Sequence, residues 1–194
     1  MERIEGGNKI PKVDMQDEDI DETPSPYKAG IEEILKFPAF QVFKDSDYKD
    51  NDYGGDFKKW ARIILEIRKR GETTERILIK ARLELKLRNF RMSVSTTKRA
   101  EVLSPEMEEV HFEEGLAIFL LAAEKAGVIT GMLAVEDSVE NSVEYSVRDL
   151  LQQARDCFTR ALELDSEDED VKNILQKLTA LLEVNTPEEE EPTN

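Results

Sequence analysis

ILIKARLELKL, residues 77 to 87, is the stretch on which the fold class turns. Ile77, Ile79, Ala81, Leu83, Leu85 and Leu87 alternate there with Lys80, Arg82, Glu84, Lys86 and Arg88, and strict alternation is the pattern of a half-buried strand. A lone strand is not stable, so that reading requires a pairing partner and an α+β fold. The residue types argue the other way. Leu, Ala, Glu, Lys and Arg are strong helix formers, and a helix carrying this pattern presents two apolar stripes, as a helix between neighbours does. A helix is predicted.

The flanking sequence agrees. Between Ala39 and Ser104, and again from Glu106 to Thr186, there is no proline to interrupt a helical ladder. Phe57, Trp60, Ile64 and Ile67 recur at spacings of three and four, which predicts an amphipathic helix from about Asp56 to Arg70, stopped by Gly71. Thr73 or Thr74 caps the next helix. A short helix, Ala29 to Phe37, is expected to stop at Pro38, before a polar loop from Asp45 to Gly55. Ser104-Pro105-Glu106 reads as a helix start, with the proline in the first turn where its missing donor costs nothing. That helix runs to Ala126 and stops at Gly127; its centre, GLAIFLLAA, is apolar almost all round and is predicted to be the most buried element. After an irregular acidic linker, 128 to 141, two more amphipathic helices are expected, Ser142 to Leu164 and Asp170 to Val184.

The chain has 194 residues, room for one domain plus tails, with 39% hydrophobic and 36% charged residues. Residues 1–27 and 185–194 are too polar and acidic to bury a core and are expected to be disordered tails around a body of residues 28–184. A single cysteine, Cys157, excludes an intrachain disulfide. The first residues carry neither a secretory nor an organellar signal, and the longest apolar run, Leu116 to Ala123, is far short of a membrane span, so a soluble intracellular protein is expected. Charge is unevenly placed within the net of −16: residues 58–99 hold 14 basic against 4 acidic residues, while both flanks are strongly acidic.

The segment ARDCFTRALELDSEDEDVKNIL, Ala154 to Leu175, resembles the second helix of a tetratricopeptide repeat together with the start of the next unit. The motif sets a small residue, an aromatic and a second small residue at offsets zero, four and seven, filled here by Ala154, Phe158 and Ala161. Two helices cross closely only where small side chains let them, and an aromatic fills the space beside them. Upstream, Gly115 stands where the first helix of the hairpin carries its small residue, which makes 128–141 a large insertion; in a second register Tyr145, nine before Ala154, is the motif's aromatic. Ser166 replaces the usual closing proline. The resemblance implies stacked antiparallel hairpins, a concave groove for peptides or partner helices, and no catalysis. A plain helical bundle accounts for the same spacing.

Chemical motifs are sparse. Phosphate-binding glycine loops and the nucleophile elbow are absent. The single histidine, His111, forms one Glu-x-x-His pair with Glu108, whereas di-metal bundles need two, so a helix-surface histidine among glutamates is expected and neither a metal nor a cofactor is predicted. Asp50, Asp52 and Gly55 fall at calcium-loop positions, but Ala61 stands where the bidentate glutamate is required. Cys157, beside Asp156, is read as an inert core thiol. The remaining candidate site is a basic face of Arg68, Lys69, Arg70, Arg76, Lys80, Arg82, Lys86, Arg88 and Arg91. Such a face grips an acidic protein segment or helix, or is neutralised by the chain's own acidic helices; nucleic acid is disfavoured by overall charge and scarce aromatics. The expectation is an all-α, non-catalytic adaptor, scaffold or assembly factor, against a nucleic-acid-associated protein using residues 58–99 or an enzyme without recognisable motifs.

Overall fold

The computed structural model describes residues 25–44, 53–131 and 145–185, and among these residues there are eight helices and no strand. In chain order they are α1 (Lys28–Ile34), α2 (Pro38–Lys44), α3 (Tyr53–Arg70), α4 (Thr74–Lys86), α5 (Phe90–Leu103), α6 (Glu108–Lys125), α7 (Val147–Leu164) and α8 (Glu169–Val184). The alternating stretch is the helix α4. Alternation distributes apolar residues round a helix, and α4 accommodates that because α3, α5 and α6 all pack on it. Ile77, Leu78, Ala81, Leu83, Glu84 and Leu85 are buried, and Ile79 faces out.

Local chemistry sets the ends. Thr73 caps α4 by accepting from the Arg76 amide, and Ser146 and Asp149 form a capping box on α7. Gly71 and Gly127 come just after α3 and α6 with φ of +82° and +68°, the left-handed stop that glycine takes without strain. The α4 stop is built differently: Arg88 holds φ +58°, the Asn89 amide donates to Glu84 O at 2.8 Å and the Arg88 amide to Leu85 O at 2.9 Å. Arg88 is tethered there by donating to Thr130 O.

Four expectations are corrected. Helix α1 ends at Ile34, before the expected Phe37, and Pro38 opens α2, consistent with proline at a first helical turn. Ser104 is the C-cap of α5, and α6 begins three residues beyond Pro105, which lies in the intervening turn. Gly55 belongs to α3 rather than to a loop. Tyr27 is buried and packs into the core, so the body begins before residue 28. The tails 1–24 and 186–194, the stretch 45–52 and most of the linker, 132–144, lie outside the described residues.

Consecutive helices from α3 to α8 pack in sequence as antiparallel hairpins. Thr74 at the start of α4 meets Ser104 at the end of α5, Oγ1 to Oγ 2.7 Å. Glu106, just before α6, pairs with Arg160 near the end of α7, and Arg148 at the start of α7 donates to Asn185 O at the end of α8. The main core lies under α6, whose residues from Leu116 to Leu120, with Ala122 and Ala123, are all buried. Phe119 meets Phe40 of α2 at 4.8 Å between ring centroids, and α1 closes against α8 where Gly30 approaches Leu181.

Candidate functional site

Of the small and aromatic residues at offsets zero, four and seven, Phe158 packs directly on α6. Ala154, Phe158 and Ala161 are fully buried, and Gly115 of α6 lies beneath the Phe158 ring: a Cβ there would sit 2.9 Å from Phe158 Cε1. Phe112 meets the same ring edge-on at 5.9 Å. Tyr145, the aromatic of the other register, immediately precedes the Ser146 cap and is 43% exposed.

The nine basic residues do not form one face. Arg68, Lys69 and Arg70 end α3, whereas Lys86, Arg88 and Arg91 surround the α4–α5 turn, about 18 Å away along the length of α4. Several are used inside the chain. Arg82 donates to Glu113 through Nε and to Glu109 through Nη2, both at 2.6 Å, so its charge is engaged within the chain although the side chain remains exposed. Burial pushes the Glu113 carboxyl up and Arg82 draws it back in part. Arg76 donates to Gly71 O at the end of α3, and Arg70 lies 3.5 Å from Glu66. Arg68, Lys69, Lys86 and Arg91 make no hydrogen bond or ion pair among the described residues and are exposed.

Around Lys80 the chain builds a polar network that sequence reading did not single out. Glu84, 1% exposed, accepts from Trp60 Nε1 at 3.1 Å, from Lys80 Nζ and from Thr96 Oγ1 at 2.7 Å, and Lys80 also donates to Thr96 at 2.6 Å. One carboxylate thereby ties α3, α4 and α5 together. A carboxylate this buried is tolerated because its oxygens are so fully hydrogen-bonded. Its signal in the sequence was weak, because Glu84 fell among the apparent solvent-facing partners of the alternation.

Beside this network lies a pocket of about 260 Å³. Ile64, Ile67 and Ile77 line it on the apolar side, Lys80 and Thr96 border it, and Arg68, Arg99 and Glu72 stand around it. Arg99 is ion-paired to Glu72. Small-molecule sites begin near roughly 300 Å³, so this volume suits a single large side chain better than a cofactor. Along α3, no side chain from Gly55 to Arg70 is fully buried, and Phe57 and Leu65 are more than half exposed.

Cys157 is half-buried, and burial, reinforced by Glu114, Glu101 and Asp156, pushes its thiol up to about 12, which leaves it protonated. His111 is buried, not on the surface as expected, because the turn before α6 folds back and Pro105 O lies 2.7 Å from its Nε2. Among the described residues no helix is long and apolar enough to cross a membrane. Compared with family models, with curated proteins and with solved structures, the chain matches none.

Proposed function

We propose that the protein is a non-catalytic interaction module whose α3–α4–α5 groove holds an acidic protein segment by one large apolar side chain. The observation that carries this reading is the pairing of an apolar pocket of Ile64, Ile67 and Ile77 with Arg68 at its edge, which has no ion-pair partner among the described residues. An apolar anchor in a desolvated pocket provides affinity, and the surrounding cations accelerate encounter with an acidic chain. The half-covered face of α3 extends that surface through Leu65 and Phe57. We read α6 and α7 as a tetratricopeptide-like hairpin, supported by the packing of Phe158 on Gly115 and the burial of Ala154 and Ala161, with the groove on the neighbouring hairpins.

The test is methyl-detected NMR of the full chain with a synthetic peptide carrying one leucine among aspartates and glutamates. Shifts should concentrate at Ile64, Ile67 and Ile77, and affinity should fall with salt. Arg68→Glu should slow association while leaving the fold unchanged. Isoleucine methyls that stay unmoved at saturating peptide would refute the groove.

A further inference from the structure

Away from the groove, the α5–α6 turn collects a histidine and two carboxylates whose role is otherwise unexplained. The reverse turn at residues 104–107 lays the last turn of α5 against the first turns of α6, so Glu101 comes to His111 and Glu114. His111 and Glu114 are three apart on α6 and share a face. One ligand atom from each of the three residues lies within 4.8 Å of the others, and the two α6 side chains are 5% and 4% exposed. These are not the Glu108 and His111 that the sequence paired. Glu108 is not in this cluster; burial, with the charges of Asp168 and Asp165, pushes its carboxyl up.

From this placement we infer a first-row transition-metal site of the zinc class, formed by His111, Glu101 and Glu114, with a remaining position open to water. Two observations beyond the clustering support it. The contact between His111 Nε2 and Pro105 O at 2.7 Å fixes the tautomer: a carbonyl oxygen only accepts, so Nε2 carries the proton and Nδ1 of the neutral ring keeps the lone pair. Orientation of a ligating imidazole by a backbone carbonyl is the usual outer-sphere support of such a ligand. Glu114 is 4% exposed as a residue and takes no hydrogen bond among the described residues, which leaves its carboxylate available to a cation. Two carboxylates and a neutral imidazole balance a divalent ion, and the imidazole selects zinc-like ions over magnesium or calcium. Donor atoms around tetrahedral zinc stand about 3.4 Å apart, so closure takes side-chain movements on the order of an ångström. Glu101, half-exposed on the last turn of α5, is free to make them.

The chain holds one histidine, so its imidazole resonances report the site without ambiguity. Untagged, chelator-treated full-length protein is titrated with zinc chloride by calorimetry and followed by proton–nitrogen NMR of the imidazole. Expected are one equivalent of zinc, a shift of the His111 Nδ1 resonance, and affinity weakened by about tenfold or more in Glu101→Gln. Zinc taken up without any shift at His111 is association with the acidic surface and overturns the site. So does binding undiminished in Glu101→Gln, or no saturable binding at all. Should that variant fold poorly by circular dichroism, the wild-type imidazole shift decides alone.

Discussion

Substituting Gly115 by alanine tests the closest helix approach at the α6–α7 crossing with a single methyl group. The added Cβ would meet Phe158 Cε1 at 2.9 Å and Cδ1 and Cζ at 3.0 Å, about half an ångström inside ordinary contact. Phe158 is 0% exposed and backed by Phe112, so the ring has no vacant space to enter. Overpacking of this kind costs about 1–3 kcal/mol, while replacing a mid-helix glycine by alanine returns about 0.8–1.0 kcal/mol. Gly115→Ala should therefore lose up to about 2 kcal/mol, read as a lower urea midpoint by circular dichroism at 222 nm. Truncating the ring removes the clash but leaves the propensity gain. In a Phe158→Leu background, with the clash gone, the same substitution should stabilise by about 1 kcal/mol, so the coupling between the two sites equals the overpacking cost, about 1–3 kcal/mol. An equal stabilisation in both backgrounds would refute the crossing.

The polar contacts carry further expected outcomes. Glu84→Ala strands Lys80, Thr96 and the Trp60 indole and should cost about 3–5 kcal/mol, with a red shift of Trp60 fluorescence as α3 loosens; unchanged stability would mean the network contributes nothing. Arg82→Ala leaves Glu113 buried without its cation and should cost about 3 kcal/mol, whereas Arg68→Glu should change stability by less than about 0.5 kcal/mol, and equal losses in urea unfolding would contradict the division between paired and free cations. Native Cys157, with its thiol held up to about 12, should react with iodoacetamide at pH 8 roughly a thousandfold more slowly than in urea; similar rates would refute its burial against Glu114 and Glu101.

Much of the fold was legible because its apolar stripes are long and its stops are glycines. Gly71 and Gly127 end α3 and α6 as their positions indicate, and Val147–Leu164 carries its apolar face where the three-and-four spacing sets it. What escaped was polar. Helix α5 went unassigned because its inward face is Ser93, Thr96, Thr97 and Ala100 beside a single large residue, Phe90. Those hydroxyls are buried because each finds a partner: Ser93 donates to Ala81 O, Thr97 to Ser93 O and Thr96 to Glu84. A periodicity built from apolar residues alone does not register such a face. His111 was misplaced for a related reason: its partner is a backbone carbonyl in a turn, and backbone groups leave no mark in a residue pattern.

The same blindness explains the basic segment, where the excess of cations suggested one binding face. Sequence counts charge by position along the chain, but pairing is decided by which helices touch, and α4 touches α6. Arg82 is spent on Glu109 and Glu113 there, while Lys80 is turned inward to Glu84 and Thr96. These cations hold helices together, since a buried carboxylate stripped of its cation is worse than either group alone. Arg68 has no such duty. It stands at the edge of the isoleucine-lined pocket, on a helix with no fully buried side chain between Gly55 and Arg70. Within α4, Lys80 and Arg82 brace the fold, and on α3 Arg68 stands exposed with no ion pair among the described residues.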